Sequence, residues 1–258
     1  MRIGILGAGG LVGSGLVKHL SKKNELVSIT RNNYSRNKNI SFDLLINANG
    51  NSKRYWALHN IYQDFVASTD SVYRSLFDFD FKKYIYISSV DVYPHPHEPK
   101  TTLESGHIDI YSQNTYGFHK YISEQLVRKH TNNWVILRLS SVLGAKLKKG
   151  PLYDAMRGKK VFVTTDSKIQ YVSTESIANI IDIVHRKYNK KIFNVGGKGV
   201  FSFKNISRYV DSPLNISPDA GKQIYCMDVK KISKVYLGLK SSNFYVRKYF
   251  KSIGQHVD

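Results

Sequence analysis

The sequence is poor in cysteine, in proline and in acidic residues. Its single cysteine, Cys226, excludes an intramolecular disulfide framework and fits a reducing compartment. Only 6 prolines occur in 258 residues, and no Pro/Ser-rich stretch, low-complexity tract or fixed repeat divides the chain. A chain of this length can bury one substantial core, so we expect one main domain with at most a smaller lobe attached.

Long hydrophobic runs are also lacking. No stretch reaches the roughly 18 apolar residues that a membrane-spanning helix needs. The run IGILGAGGLVGSGLV after Arg2 resembles the start of a signal peptide, but its six glycines would make a poor helix and no small-residue cleavage site follows. The sequence therefore predicts a soluble, cytoplasmic protein.

The shortage of acidic residues leaves a large positive charge. The chain has 39 Lys+Arg against 19 Asp+Glu, which gives a formal net charge of +20. Such an excess favours an anionic partner, which could be nucleic acid, an acidic membrane surface or a phosphorylated small molecule. The basic residues are scattered and form no long tail, so a solvated, lysine-rich surface without a specific partner remains the alternative.

Apolar runs alternate along the chain with stretches of helical periodicity. The helical stretches are residues 11–23, 53–78, 115–130 and 176–186, and the apolar runs are residues 2–6, 25–30, 43–50, 82–89, 133–144 and 191–197. This alternation predicts an α/β fold with a parallel sheet covered on both faces. We expect a Rossmann-type, doubly wound sheet formed by residues 1–145 with 173–197. Residues 146–172 with 198–258 would form a small, mostly C-terminal substrate-binding lobe.

The first strand is followed by the turn GAGGLVG, which predicts a dinucleotide site. Gly7, Gly10 and Gly13 are spaced three residues apart, with Leu11 and Val12 at the start of the following helix. Glycines let the backbone approach a diphosphate, and the free N–H groups of the helix terminus favour its charge. A tight strand-to-helix turn without a ligand is the alternative.

The second strand ends at Thr30-Arg31, the position that selects the cofactor. A site for NAD usually has an acidic residue there to hold the ribose 2′-hydroxyl. Here the position holds Arg31, with Arg36 and Lys38 close behind. A guanidinium suits a 2′-phosphate, so we expect NADP(H) to be preferred over NAD(H).

The pentapeptide YGFHK (116–120) places Tyr116 and Lys120 on one face of a predicted helix. A free tyrosine has a pKa near 10. An ammonium at about 4 Å would favour the phenolate by roughly 4 kcal/mol at an effective dielectric of ~20, before desolvation offsets part of it. We therefore expect Lys120 to lower the pKa of Tyr116. Alone, however, the spacing could be that of an ordinary surface helix.

Together these motifs resemble the extended short-chain dehydrogenase/reductase family of nucleotide-sugar epimerases, ketoreductases and dehydratases. The resemblance covers almost the whole chain. It rests on eight motifs in order: GAGGLVG, DLLINANG, YIYISSVDVYP, YGFHK, VILRLSSVLG, YVSTESIA, IFNVGG and DVKKISKVYLG.

The resemblance implies roles for individual residues. Tyr116 would be the general acid/base, Lys120 would tune it and hold the nicotinamide ribose, and Ser89 would bind the reacting oxygen. No metal is expected. The cofactor-binding residues predicted from the turn, the second strand and the resemblance together are Gly7, Gly10, Leu11, Val12, Gly13, Arg31, Asn47, Ala48, Ser88, Tyr116, Lys120 and Leu139.

Some positions depart from the family pattern. Dehydratases carry two acidic residues where this chain has Val90 and Asp91, and Asp91 would point to the opposite face if the strand continued. Dehydration is therefore disfavoured. Only eleven residues separate Arg31 from Asp43, too few for the usual third strand and its helix. Other departures are Leu139-Ser140-Ser141 in place of Pro-x-Asn, and Ala67 and Ser68 where an asparagine is common.

The sequence favours an NADP(H)-dependent 4-ketoreductase acting on a nucleotide-linked sugar. An epimerase of the same substrate class, an RNA-binding member of the fold and a redox-sensing regulator remain alternatives. The charge supports RNA binding, whereas the intact Ser89–Tyr116–Lys120 set argues against it. The family often dimerises through the helix that bears its Tyr-x-x-x-Lys, so a homodimer is possible.

Overall fold

The computed structural model of the protein describes residues 1–210 and 212–254; residues 211 and 255–258 of the predicted lobe lie outside them. Its strands are β1 (Arg2–Leu6), β2 (Glu25–Ile29), β3 (Ser41–Phe42), β4 (Leu44–Asn47), β5 (Asp80–Phe81), β6 (Tyr84–Ser89), β7 (Trp134–Leu139), β8 (Ser141–Leu143), β9 (Val161–Val163), β10 (Lys168–Ile169), β11 (Tyr171–Ser173), β12 (Lys191–Val195), β13 (Phe201–Ser202), β14 (Ile216–Gly221) and β15 (Ile224–Tyr225).

The helices lie between these strands. They are α1 (Leu11–Leu20), α2 (Arg54–His59), α3 (Ile61–Phe65), α4 (Ser71–Asp78), α5 (Thr115–His130), α6 (Pro151–Met156), α7 (Thr174–Lys187), α8 (Lys230–Val235) and α9 (Ser242–Ser252). A π-helical turn, Val66–Asp70, joins α3 to α4. The predicted helix over residues 53–78 is therefore interrupted, first at Asn60 and again at the π-helical turn.

Six parallel strands form the central sheet in the order β12-β7-β6-β4-β1-β2. The chain runs from β1 outward to β2 and then returns to the other side of β1, so the order reverses beside β1. In open parallel sheets, ligands bind outside the carboxyl ends of the strands at such a point. The predicted doubly wound sheet is confirmed, and its strand order makes this edge the expected place for a ligand site.

Successive side chains along the central strands enter separate hydrophobic clusters on the two faces of the sheet. On one face, Ile3 and Ile5 of β1 pack with α1 and α7. On the other, Leu6 and the β6 tyrosines Tyr84 and Tyr86 pack with α4 and α5. Burying apolar area on both faces stabilises the sheet by about 25 cal/mol per Å², and it fixes α5 against β6.

The predicted absence of a third strand and its helix is confirmed. Between β2 and β4 the chain forms only two short 3₁₀ turns, Arg31–Asn33 and Ser35–Asn37, and the two-residue strand β3. Any adenine pocket at this edge must therefore be built without a third strand and its helix.

The second half of the chain contains small sheets and short helices. The order β13-β10-β15 forms a three-stranded sheet, while β8 pairs with β11 and β9 with β14. The apolar run over residues 133–144 was expected to be one strand. It divides at Ser140, whose N–H donates to Val195, and Ser141 then pairs with β11. Helix α9 was not predicted. The domain boundaries remain a prediction.

Candidate active site

The glycine turn forms a tight cradle at the carboxyl end of β1. Gly7 has φ +76°, and a Cβ at this position would lie 2.7 Å from the Ala48 carbonyl oxygen. A Cβ on Gly13 would lie 2.2 Å from the Gly7 carbonyl oxygen, and one on Gly10 would lie 3.3 Å from it. The motif therefore brings three backbone segments together as closely as the sequence predicted.

The amino end of α1 has the donors that a diphosphate needs. Gly10 is the N-cap, no side chain caps the helix, and its first turn contains no acidic residue. Leu11 and Val12 follow, both half-buried, and a Cβ on the exposed Gly9 would meet nothing within 4 Å. Free N–H groups at a helix terminus that opens to space fit the diphosphate of a dinucleotide.

Arg31 begins the 3₁₀ turn that follows β2 and is exposed. Within residues 1–210 and 212–254 it forms no salt bridge, and the same holds for Arg36. Lys38, in contrast, is paired with Asp78 at 3.0 Å. Arg31 is thus available to an anionic group at the edge of the sheet, while Lys38 is occupied.

Three of the predicted cofactor residues direct their side chains into the protein interior. Asn47 is fully buried and donates to Ser75 Oγ at 3.1 Å and to Tyr84 Oη at 2.7 Å. Ser88 donates to Glu124 at 2.5 Å, and Leu139 is part of the core. A contact from these positions would have to come from the backbone, as it would from Ala48, which lies against Gly7. Their cofactor role remains a prediction.

Ser89 and Tyr116 meet where β6 ends and α5 begins. Asn114 caps α5 by accepting from the Gly117 N–H at 3.0 Å. A Cβ on Gly117 would lie 1.9 Å from the Asp91 carbonyl oxygen, so glycine permits this close approach of α5 to the turn after β6. Tyr116 is only 8% exposed. Helix α5 thereby delivers its tyrosine to the end of the strand that bears Ser89.

The expected lowering of the Tyr116 pKa is wrong. Burial raises the pKa of the Tyr116 phenol and is the largest cause, and the Asp91 charge raises it further. The nearby Ser89 hydroxyl lowers it only in part. Desolvation of the phenolate and the Asp91 charge therefore outweigh the effect of Ser89, and Tyr116 is held as a protonated phenol.

Lys120 lies one turn further along α5 and is 4% exposed. Its Nζ donates to the Ile87 carbonyl at 3.4 Å and lies 5.2 Å from the centre of the Tyr86 ring. No salt bridge to Lys120 occurs in the described part of the chain. Burial lowers its pKa to about 8, although the charges of Asp64 and Glu124 raise it in part. Lys120 is therefore a buried cation without a direct carboxylate partner.

The expected orientation of Asp91 is also wrong. The strand ends at Ser89, and residues 90–92 form a 3₁₀ turn, so Asp91 does not continue the alternation of the strand. Its carboxylate accepts from Ser89 Oγ at 3.1 Å and from Tyr225 Oη at 3.0 Å, and it lies 3.4 Å from Arg54 NH1. Asp91 therefore lies in the candidate site, together with Arg54 of α2 and Tyr225 of β15.

Sequence reasoning missed Arg54 and Tyr225, and it missed two buried carboxylate contacts behind the site. Arg138 of β7 pairs with Glu124 of α5 at 2.6 Å, and the Asp64 carboxylate lies 2.6 Å from His119 Nδ1. No spacing in the sequence indicates these pairs, because their members lie 14 and 55 residues apart on different elements. The one available signal was His119, since it lies inside the YGFHK motif.

The fold and this site define a parallel α/β protein with a dinucleotide cradle beside a Ser-Tyr-Lys arrangement. A family-model comparison matches residues 38–196 to the NAD dependent epimerase/dehydratase family. The match covers more than half of the chain, so the protein belongs to this family. A search of the curated proteins found no match.

Solved structures share the fold at low sequence identity. dTDP-4-dehydrorhamnose reductase from Bacillus anthracis, in complex with NADP, is 18% identical with a TM-score of 0.78, covering 97% of this chain and 99% of that one. The Clostridium acetobutylicum ortholog is 17% identical, with a TM-score of 0.79 and coverage of 98% and 99%. UDP-glucose 4-epimerase from Thermotoga maritima, with UDP-glucose, is 16% identical, with a TM-score of 0.74 and coverage of 98% and 99%. Such identities establish the fold.

Proposed function

We propose that this protein is an NADP(H)-dependent reductase of the 4-keto group of a nucleotide-linked sugar. The observation that carries the proposal is the buried Tyr116 phenol, which keeps its proton beside Ser89 at the carboxyl edge of the sheet. Reduction of a ketone leaves an alkoxide that must be protonated as the hydride arrives. A phenol whose proton is retained at neutral pH is the group that such a reaction requires.

Each residue of the set has a distinct task. Bound NADPH would supply the hydride. Ser89 would donate a hydrogen bond to the keto oxygen, exchanging its contact with Asp91 for one with the substrate. Tyr116 would protonate that oxygen, and the Lys120 ammonium would stabilise the phenolate that remains. Below pH about 8, Lys120 carries the charge that this task needs.

The cofactor preference rests on Arg31, which is exposed and forms no salt bridge among the described residues. A guanidinium in this position would pair with a 2′-phosphate and would offer the 2′-hydroxyl of NAD no acceptor. Membership in the family supports a nicotinamide dinucleotide. The choice of NADP(H) is part of the proposal.

Dehydration is disfavoured even though Asp91 lies in the site. Position 90 is a buried valine, which can neither donate nor accept a proton. The Asp91 carboxylate is already occupied by hydrogen bonds from Ser89, Tyr225 and Arg54. Expelling a hydroxyl needs an acid free to protonate the leaving oxygen, and this arrangement lacks a free one.

The products of purified enzyme separate the reaction classes. A 4-keto-6-deoxy nucleotide sugar with NADPH should give a product that has gained two hydrogens, with stoichiometric NADPH oxidation. The mass of the product is read by mass spectrometry. Loss of water from a plain nucleotide-hexose would overturn the assignment. Isomerisation without net NADPH use would favour the epimerase, the runner-up from the same family.

The remaining partners are part of the proposal. The +20 charge suits a substrate that carries a diphosphate. Exposed apolar side chains on α2, α3 and α4 support a homodimer, which light scattering of the purified protein would test; they include Tyr55, Ile61, Tyr62 and Phe77. Among the residues described, no helix is long and apolar enough to cross a bilayer. A cytoplasmic location remains a prediction.

A further inference from the structure

Asp64 is a fully buried carboxylate beside the catalytic helix. It lies at 0% exposure on α3, and one of its oxygens is 2.6 Å from Nδ1 of His119 on α5. His119 is only 4% exposed, and in the YGFHK motif it lies between Tyr116 and Lys120. A carboxylate held away from water costs several kcal/mol unless its hydrogen bonds are restored.

The second oxygen of Asp64 is held by the loop that follows β4. Asn51 Nδ2 donates to it at 2.7 Å, and Ser68 Oγ lies 3.4 Å away. The backbone N–H of Asn51 also donates to Ser68 Oγ at 3.1 Å. Three donors thus replace water around the carboxylate.

The same loop lies against the head group of Lys120. A Cβ on Gly50 would lie 3.2 Å from Lys120 Nζ and 3.4 Å from Ser68 Oγ. Gly50 has φ +121°, a conformation that favours glycine, so the loop approaches the ammonium with its backbone alone. We define the Asp64 cluster as Asp64, His119, Asn51 and Ser68. It therefore lies on the side of Lys120 that Gly50 contacts.

Other charged and titratable groups also face Lys120. Glu124 lies on α5 but is committed to Arg138 and Ser88. From β6, Tyr86 presents its ring. Tyr116 and Asp91 lie on the side of the site where substrate would bind. Within the described chain, Asp64 is therefore the nearby carboxylate without an Arg or Lys partner within salt-bridge distance.

We propose that Asp64 is a positioning residue for Lys120: its buried charge, fixed by His119, Asn51 and Ser68, holds the lysine in place and keeps it protonated. The π-helical turn at residues 66–70, directly after α3, brings Ser68 into this arrangement. Such turns occur frequently at functional sites. The catalytic meaning of the cluster rests on the proposed function, but its electrostatic effect on Lys120 does not.

A neutral residue would be the simpler choice if the cluster served folding alone. An asparagine at position 64 would avoid most of the cost of burying a charge and could accept hydrogen bonds through its amide oxygen. What it could not supply is a field at the ammonium. Because the Asp64 charge raises the pKa of Lys120 against the effect of burial, losing it should let that pKa fall below about 8.

The test is a pH titration of Lys120 by NMR in the full-length protein, without cofactor or substrate. The probe is the Nζ–Cε signal of labelled lysine, assigned with Lys120→Met. Asp64→Asn should lower the pKa of Lys120 by about one unit, a tenfold change in the proton-binding constant. Asp70→Asn is the matched control, since Asp70 follows in the same helical segment and forms no salt bridge within residues 1–210 and 212–254. It should leave the titration unchanged.

Two further measurements keep the proposal falsifiable. If Asp64→Asn does not fold, Asp64→Ser removes the same charge with a smaller side chain and should lower the same pKa. In turnover, Asp64→Asn should lose activity about one pH unit earlier as pH rises, yet stay within about threefold of the unmutated enzyme at pH 6. An unchanged Lys120 titration, or an equal loss of activity at every pH, would overturn the proposal. Because the titration needs no turnover, its failure is distinguishable from failure of the proposed reductase activity.

Discussion

Two buried cations, Lys120 and Arg138, lie close to the same glutamate but differ in how they are partnered. Arg138 is 2% exposed and donates to both oxygens of Glu124, at 3.0, 3.2 and 2.6 Å, and to Tyr93 Oη at 2.8 Å. Lys120 is 4% exposed and has one weak contact, at 3.4 Å, to the carbonyl of Ile87.

The difference separates a cation that the fold holds on all sides, Arg138, from the cation to which the proposed mechanism assigns a role, Lys120. Burial would lower the pKa of Arg138, but the charge and hydrogen bonds of Glu124 outweigh burial and raise it. For Lys120 burial prevails, and its pKa falls to about 8. Arg138 has all the partners it needs within the fold. The Lys120 ammonium has N–H donors left for other groups at the carboxyl edge of the sheet, where a cofactor and a substrate would bind.

The strongest test of this contrast is Tyr116→Phe, because in the proposed mechanism Lys120 acts through that phenol. The change removes one buried oxygen and should reduce turnover by a factor of about 10³ or more, since no other group is placed to protonate the alkoxide. NADPH affinity and the melting temperature should change little. Steady-state kinetics and calorimetry measure the two effects, and a fully active variant would remove the mechanism.

Arg138→Met tests whether Arg138 stabilises the fold. Removing one partner of a buried ion pair leaves Glu124 uncompensated and should destabilise the fold by about 3–5 kcal/mol. Urea denaturation followed by circular dichroism measures the loss. Lys82→Met is a suitable control, because it breaks the exposed pair with Asp43 and should have little effect. Equal effects from the two variants would contradict the structural role of Arg138.

Lys120→Met should do the opposite and stabilise the protein. Since burial holds the folded pKa near 8 against 10.5 for the free side chain, the charged lysine costs folding free energy below pH 8. We expect a gain of about 1–3 kcal/mol at pH 7 that shrinks as the pH rises from about 8 to 10.5. Denaturation at several pH values checks this. The same variant should lose turnover and bind NADPH more weakly; a destabilised variant would show that Lys120 is structural, like Arg138.

Arg31→Ala should have the smallest of these effects, because Arg31 is exposed. The unmutated protein should bind NADPH at least about tenfold more tightly than NADH, which corresponds to about 1.4 kcal/mol. Arg31→Ala should erase most of that preference, whereas Arg36→Ala, a neighbouring exposed arginine, should retain it. Isothermal titration calorimetry with NADPH and with NADH measures this preference in each variant. Equal affinities of the unmutated protein for NADPH and NADH would exclude the proposed role of Arg31 in selecting the cofactor.

The sequence predicted the parts of the site that depend on local spacing. The glycine turn needs residues close together in the chain, and the Tyr116–Lys120 pair needs one helix. The alternation of apolar runs and helical stretches also indicated the central sheet, and the short spacing between Arg31 and Asp43 indicated the missing third strand. The sequence could predict these features because strand, turn and helix are each determined by residues that lie close together in the chain.

The features that the sequence did not predict depend on where a strand ends or on distant contacts. Asp91 lies in the site because β6 ends at Ser89 and residues 90–92 form a 3₁₀ turn, so the alternation of the strand does not apply to it. The upward shift of the Tyr116 pKa follows from burial, which spacing does not reveal. The Asp64–His119 contact joins residues 55 positions apart. Such juxtapositions require the packed structure.

The most direct test of the central claim is the transfer of deuterium from NADPH that carries deuterium at both C4 positions to a 4-keto-6-deoxy nucleotide sugar, followed by mass spectrometry of the sugar. The unmutated protein should yield an alcohol that carries one deuterium on carbon and one new proton on oxygen. Tyr116→Phe should yield almost none, while a variant remote from the site, Lys82→Met, should match the unmutated protein. A product without deuterium, or one formed equally by Tyr116→Phe, would contradict the assignment of this site as a reductase.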